Sequence, residues 1–458
     1  MEGFEQKLST KNRPELDSDF VPLAQFFRSY RTGARYPLAI AVEREDGLTS
    51  VYETALRTEG ALDRQDRLYV DRLAKTLLWI YGGWRLIVCG STAAGEYLAQ
   101  AYAPGGSRAF DSDFMEGIYE RAFTVETRPY GARPAPKNAA ASVGRHLQGC
   151  RIGLDAGASN LKVSAVVDGV PAFSDSLPWR PKEQADPQYH LDHLTAALRL
   201  AAAHLPRVDG VGVSSAGVFV GNDCRAASLF LGVSRHDFRA RLRDVYPKAV
   251  GALGSGIPLV VANDGDVTAL AGAMGLGETG VLGISMGTSE AGGYVDAGGN
   301  ITGWFNELAF VPIDVQENGT RDEWSGDLGC GVKYLSQDGA VKLADRAGIP
   351  MPQGGPADKF AHLRGLMERG DQRVAAVYRD LGIYLGHAVG LYAMFYELND
   401  VLVMGGVAGG AGGAHILAEA QRVLREDYPE VKAPLRTADS TVCQVGQSVA
   451  AASLPETV

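Results

Sequence analysis

Residues 152–162 read Ile-Gly-Leu-Asp-Ala-Gly-Ala-Ser-Asn-Leu-Lys, an apolar strand that breaks into a turn with Asp155 and Gly157 two positions apart. Gly157 lets backbone approach an anion closely, while Ser159, Asn160 and the turn's free N–H groups aim donors at it, with Lys162 close behind. The motif recurs. Val281–Ser285 reads as a strand that runs into Gly287-Thr288-Ser289-Glu290-Ala291-Gly292-Gly293 and then into a second strand at Tyr294–Val295, a hairpin tip with its amides exposed. Between these two turns, Pro258–Ala262 is an apolar strand ending on Asn263 and Asp264, where a helix begins. A carboxylate at the end of a strand, above a sheet, is well placed to act as a base. Val401–Met404 is one more strand, feeding a turn with Gly405, Gly406 and Gly409 where a flat adenine or a ribose can lie on bare backbone.

The order phosphate turn, acid, phosphate turn, nucleoside turn resembles the superfamily of sugar kinases, actin and heat-shock ATPases, and within it the ROK family of sugar kinases and sugar-responsive repressors. The resemblance covers about residues 150 to 450, a span typical of that family. It implies an α/β chain with two ribonuclease-H-like lobes and a nucleotide cleft, the actin-like ATPase fold, with ATP and Mg²⁺ as cofactors. Asp264 matches the family's general base and Asn263 the residue that bonds a sugar hydroxyl. Asp155 is then expected near Mg²⁺ through water. Gly287, Thr288 and Ser289 would meet the β- or γ-phosphate, and Gly405, Gly406 and Gly409 would border the nucleoside. Two plainer readings stand beside these: Asn263-Asp264-Gly265 as a simple turn with Asp266 capping the helix, and Asp155 as a residue of a tight hairpin. Glu290 is out of keeping, since a carboxylate in a phosphate turn repels the ligand unless it points away or meets Mg²⁺.

The match loosens at Gly303-Trp304-Phe305-Asn306-Glu307-Leu308-Ala309-Phe310. Where ROK kinases carry Gly-Glu-x-Gly-His, Glu307 fits the sugar-binding Glu, with Asn306 beside it as a further substrate contact, but Phe310 replaces the His that binds sugar and zinc. Of the three zinc cysteines that follow in the family, Glu323–Cys330 keeps Cys330 alone, and one thiolate builds no tetrahedral site, so no structural zinc is expected. Tyr334-Leu335-Ser336 still fits the pattern.

With 458 residues the chain is too long for one ordinary core. Its 57 glycines exceed the usual ~7%, and the excess falls in the turns above. A net charge of −10 argues against a generic nucleic-acid or anionic-membrane surface. The five cysteines, Cys89, Cys150, Cys224, Cys330 and Cys443, are odd in number and never paired as Cys-x-x-Cys, which suits idle thiols in a reducing cytoplasm. Residues 1–20 carry charges throughout and show no signal-peptide core. Val401–Ala418 is uncharged, but its glycine density makes it a poor helix and a poor membrane span.

A break near Arg128–Leu147 divides the chain into an amino-terminal α/β domain (1–130), a linker (131–150), one lobe (151–270) and a second lobe with nucleotide-binding turns (271–458). The amino-terminal domain lies outside the resemblance. It reads as a hairpin over Tyr36–Ala55, an amphipathic helix over Leu68–Tyr81, a strand at Arg85–Cys89 and a helix over Ala93–Tyr102. No helix-turn-helix with a basic recognition helix is visible in it. Its turn Gly90–Gly95 reads as a plain strand-to-helix connection or, less simply, an anion site at a helix start that lacks the P-loop Lys. Further on, a helix is expected over Leu191–His204 and a strand and turn over Gly210–Gly217. Gly212–Ala216 is a near miss to a nucleophile elbow, with no His or acid pattern to complete it.

The function expected is ATP-dependent phosphorylation of a sugar or sugar-like hydroxyl, with Mg-ATP between two lobes and a homodimer implied by the family alone. A catalytically weak sugar- or nucleotide-sensing regulator is the alternative, and an ATPase that activates another enzyme is a third possibility.

Overall fold

Asp46 and Gly47 both take positive φ and reverse the chain within three residues, so the amino-terminal hairpin closes where the sequence places it. The structure, a computed structural model, describes residues 10–138, 143–437 and 446–457. Cys443 and part of the expected linker (139–142) lie outside the described residues. After helix α1 (Leu23–Arg31), strands β1 (Tyr36–Glu43) and β2 (Thr49–Leu56) pair antiparallel with Tyr36 opposite Leu56. Helix α2 (Arg64–Tyr81) starts one turn earlier than the periodicity indicates, because Asp63 and Asp66 form a capping box. From Tyr69 onward nearly every residue of α2 is buried, Asp71 and Lys75 included, so its polar residues serve internal ion pairs rather than a solvent face.

Strand β3 (Arg85–Cys89), helices α3 (Thr92–Ala101) and α4 (Ala109–Tyr119) and strand β4 (Thr124–Arg128) complete a sheet of order β2-β1-β3-β4. The Gly90–Gly95 turn is a capped strand-to-helix connection: Ser91 accepts from the Ala94 N–H. Gly95 serves packing, since a Cβ there would lie 1.9 Å from Thr127 Oγ1.

By compactness the chain forms two units. One joins the residues up to Asn138 with Ile284–Gly292 and Trp304–Thr437, and the other joins residues 139–283 with Gly293–Gly303 and the carboxyl-terminal residues.

The second unit is built on β5 (Cys150–Ala156), β6 (Asn160–Val167), β7 (Val170–Pro178), β8 (Gly210–Ser215) and β11 (Leu259–Asn263), in the order β11-β8-β5-β6-β7. β5–β6–β7 run antiparallel, whereas β8 and β11 run parallel to β5. Two short strands, β9 (Val218–Val220) and β10 (Asp223–Ala226), form a hairpin after β8. Helix α5 (Pro187–Ala202), the single turn α6 (Arg235–Asp237) and α7 (Val245–Gly251) follow, and α8 (Asp264–Leu276) leaves the end of β11. Ile152, Leu154, Val163, Val211 and Val213 from the sheet bury against Leu194 and Leu198 of α5 and Tyr246 of α7. The carboxyl-terminal helix Gln447–Ala452 lies directly on the strand backbone. A Cβ on Gly153 or Gly212 would meet Ser448 O at 1.6 Å or Ala451 O at 1.7 Å.

The strands β12 (Val281–Met286), β13 (Glu290–Val295), β14 (Asp400–Met404) and β15 (Leu435–Thr437) form a sheet of order β13-β12-β14-β15. Helices α9 (Gln337–Arg346), α10 (Pro356–Glu368), α11 (Gln372–Tyr392) and α12 (Gly410–Asp427) accompany it. The glycine-rich start of α12 corrects the expectation of a poor helix there. Packing overrides propensity, since Gly412 and Gly413 sit where a Cβ would strike the Tyr378 ring and Ala408 O. Among the described residues, no helix is long and apolar enough to cross a membrane.

Candidate active site

The strand register of the second unit gathers polar groups around Asp155. Asp155 lies opposite Lys162 across β5–β6 and opposite Ser214 across β5–β8. The Ser214 hydroxyl donates to Asp155 Oδ1 at 3.0 Å, and Lys162 Nζ stands 3.3 Å from Oδ2. Asp155 is buried, whereas Lys162 and the turn residues Ser159 and Asn160 are exposed. The Gly157 N–H closes that turn on Asn160 O, and Trp179 Nε1 donates to Gly157 O.

Asn263 and Asp264 stand at the junction of β11 and α8. Asn263 is the helix cap: its Oδ1 accepts from the Gly265 N–H at 2.7 Å, and its Nδ2 donates to Gly217 O at 2.9 Å. The alternative in which Asp266 caps the helix is thereby replaced. Asp266 is buried instead, and its Oδ1 accepts from the Tyr294 N–H.

Asp264 is half-buried in the first helical turn. Burial raises its pKa above the ordinary carboxylate value, and the negative charge of Asp155 adds to the rise, against a lowering contribution from the Gly265 N–H. Gln447 ties the pieces together, donating through Nε2 to Ser214 Oγ at 3.0 Å and to Asp264 O at 3.1 Å. Sequence reasoning missed Gln447, which is remote in the chain and carries no motif. The register opposite Asp155 is the signal that would have found Ser214. Asp155→Asn is expected to lower the pKa of Asp264 by removing the neighbouring charge; carbon-13 NMR titration of the Asp264 carboxyl checks the direction.

The glycine turns of the first unit also meet. The β12–β13 turn is shorter than the sequence suggests, Gly287–Ser289 only, closed by the Gly287 N–H on Ser289 O. Gly405 has φ +90, and a Cβ there would lie 2.4 Å from Met286 O, which also accepts from the Val407 N–H. The turns bearing Thr288 and Gly406 are therefore neighbours. Gly406 and Gly409 are exposed. Glu290 is the first residue of β13 rather than a turn residue. Its side chain is buried, with Oε1 accepting from the Tyr392 hydroxyl at 3.0 Å, and burial pushes its pKa up to about 8. A neutral, inward-pointing acid removes the repulsion that its sequence position suggests.

Residues 305–307 are held by the end of α2, in the region that the resemblance leaves out. The N–H groups of Phe305, Asn306 and Glu307 donate to the carbonyls of Tyr81, Ile80 and Trp79, which a helix leaves without internal partners in its last turn. Asn306 is buried at φ +52, and its Oδ1 accepts from the Tyr396 hydroxyl. Phe310 stacks on Trp79 with ring centroids 4.2 Å apart. Glu323 pairs with Lys333, and Cys330 is buried as a free thiol, as are Cys89, Cys150 and Cys224. Asp327 lies within 2.9 Å of both Arg72 Nη1 and Lys75 Nζ and 2.5 Å from Arg108 Nη1, so cations of the amino-terminal region hold the 322–330 loop. Among the described residues, no group of three or more His, Cys, Asp or Glu converges on a metal position.

No protein-family model matches the chain, and no curated protein matches it in sequence. Solved structures do match. The ROK hexokinase from Thermus thermophilus superposes with a TM-score of 0.52 at 19% identity, covering 66% of this chain and 97% of that one. The ROK glucokinase from Streptomyces griseus, in complex with glucose and AMPPNP, gives 0.48 at 20% identity over 66% and 98% of the two chains. A ROK transcriptional regulator homologous to the Escherichia coli MLC protein gives 0.48 at 18% identity over 67% and 78%. The chain is thus built on the α/β, actin-like ATPase fold of the ROK proteins.

Proposed function

We propose that this protein transfers a phosphoryl group from ATP to a hydroxyl of a sugar or sugar-like polyol. The observation that carries the reading is Asp264 itself, a half-buried carboxylate of raised pKa at a strand-to-helix junction, fixed through Asn263 and Gln447. Phosphoryl transfer asks for positioning, charge neutralisation and one group to take the hydroxyl proton. In this reading Asp264 takes that proton and Asn263 bonds a hydroxyl of the acceptor, while Asn306 and Glu307 stand as substrate contacts on the family resemblance alone.

The residues present fit a nucleotide. Exposed Ser159, Asn160 and Lys162 surround the Gly157 turn, and nothing stands within 4 Å of where a Cβ on Gly406 would be. Backbone N–H groups of Gly287, Thr288 and Ser289 would face the phosphates, and Gly405, Gly406 and Gly409 the nucleoside. Asp155 would be the carboxylate that holds a hydrated Mg²⁺. When bound, Mg-ATP supplies the phosphoryl group and neutralises its charge.

The test is ADP release with Mg-ATP across hexoses, hexosamines and polyols. Stimulation by one class of acceptor is expected; equal release with every compound and with none contradicts the proposal. One observation favours a sensing regulator as the second reading: Phe310, at the position of the ROK histidine, is committed to the Trp79 stack. Calorimetry that finds sugar and nucleotide bound without transfer supports that reading instead.

A further inference from the structure

We propose that α2 takes the place of a structural metal in this chain: Arg72, Lys75 and Trp79 are positioning residues that clamp residues 305–310 and 322–330 and so fix Glu307. The donor set here does not fit zinc. Phe310, at the position of the ROK histidine, offers no lone pair. Of the cysteine run only Cys330 remains, its Sγ 3.8 Å from Ser325 Oγ, and Glu323 of the same run pairs with Lys333 at 2.6 Å.

The helix supplies what the ligands do not. Arg72, Lys75 and Trp79 lie three and four residues apart in α2 and share one face. Arg72 Nη1 and Lys75 Nζ each stand 2.9 Å from Asp327 Oδ2, and the Trp79 ring stacks on Phe310. The carbonyls of Trp79, Ile80 and Tyr81 then accept from the N–H groups of Glu307, Asn306 and Phe305. Successive turns of one helix therefore hold both segments.

The two segments also hold each other. The Gly331 N–H donates to Val311 O and the Ile313 N–H to Gly329 O, both at 2.8 Å, and Pro312 bridges Cys330. Asp327 and Phe310 are thus two fastenings of a single body that carries Glu307. Lys75 is fully buried and Asp327 only 13% exposed, so this pairing is shielded from salt as a surface pair is not. The clamp itself is independent of any reaction; its effect on a sugar rests on the proposed function, in which Glu307 is a substrate contact.

Asp327→Asn and Phe310→Leu open the clamp from the loop side. The partners of α2 stay in place: Arg108 keeps Asp71, Lys75 keeps Asp111, and Trp79 keeps Phe114 and its Nε1 bond to Asp111. In each variant, hydrogen exchange at the amides of 305–310 and 322–330 is expected to quicken at least about tenfold, with exchange in β12 and β14 unchanged. If Asp327→Asn fails to fold, Phe310→Leu decides alone. 1,10-Phenanthroline is expected to leave wild-type exchange in both segments unaltered. Unchanged exchange in the folded variants, or stoichiometric zinc whose chelation quickens wild-type exchange there, overturns the clamp.

A kinetic split tests the positioning of Glu307. With the acceptor that most stimulates ADP release, Asp327→Asn is expected to raise the acceptor KM at least about tenfold and to leave the KM for ATP within about twofold. The two constants moving together, or neither moving, overturns that positioning. If no acceptor stimulates release, the sugar-kinase reading fails, and the exchange measurements still decide the clamp.

Discussion

Asp264→Asn is expected to abolish sugar-stimulated ADP release, by a factor of at least about 10², while leaving the protein folded and no less stable. The substitution keeps the shape of the side chain, and its amide oxygen can still accept the Gly265 N–H that Asp264 Oδ1 accepts at 3.0 Å. The α8 cap is untouched because Asn263 provides it. What disappears is the ability to take a proton. The stability arm follows from the direction of the pKa shift. Burial and the Asp155 charge raise the folded-state pKa of Asp264, so the folded chain holds that proton more tightly than the unfolded chain. Any stabilisation from this group is fully present below the unfolded pKa and is lost as pH rises through the folded one. At neutral pH the carboxylate is therefore a cost, and the neutral amide removes it. Thermal melts at pH 7 are expected to give a Tm for Asp264→Asn equal to or above that of the wild type. A variant that loses activity together with several degrees of Tm would mark Asp264 as a structural residue.

Glu290→Gln is expected to flatten the pH dependence of stability. The buried acid of the wild type has its pKa pushed from 4.5 to about 8, with burial the dominant cause and the Tyr392 hydroxyl opposing it. Between these values the folded chain holds a proton that the unfolded chain has released, so stability falls as pH rises through that window and levels off above it. The shift corresponds to a loss on the order of 5 kcal/mol across the window. A glutamine keeps an acceptor for Tyr392 and has no proton to lose. Urea melts at pH 5.5 and 8.5 check this: the wild type should weaken at the higher pH, and Glu290→Gln should weaken much less. Equal weakening in the two proteins would show that Glu290 is not the titrating group.

The parts of this fold that were legible in the sequence are those set by local chemistry. Strand period and turn glycine place β5, β11, β12 and β14 and the turns after them, and the Asn263-Asp264 pair falls at a strand end followed by a helix. Asp155 and Asp264 do enter one electrostatic neighbourhood. What was not legible depends on partners far away in the chain. Glu290 looks like a turn residue until Tyr392 is seen to receive it. Asn263 and Asp266 are equally good caps on paper, and the Tyr294 N–H is a partner that holds Asp266 elsewhere. Neither Gln447 nor the grip of α2 on residues 305–307 leaves any local signature, because the hydrogen bonds join segments hundreds of residues apart. The amino-terminal region thus reads as an accessory segment in sequence, yet in three dimensions it supplies the backbone acceptors for the residues proposed to meet the sugar.

The most direct measurement is phosphorus-31 NMR of the wild-type protein with Mg-ATP and the acceptor that most stimulates ADP release. A new phosphomonoester resonance, growing in step with ADP and absent with Asp264→Asn, is the predicted result. ADP accumulating with inorganic phosphate alone would contradict sugar phosphorylation and leave a nucleotide hydrolase on the same fold.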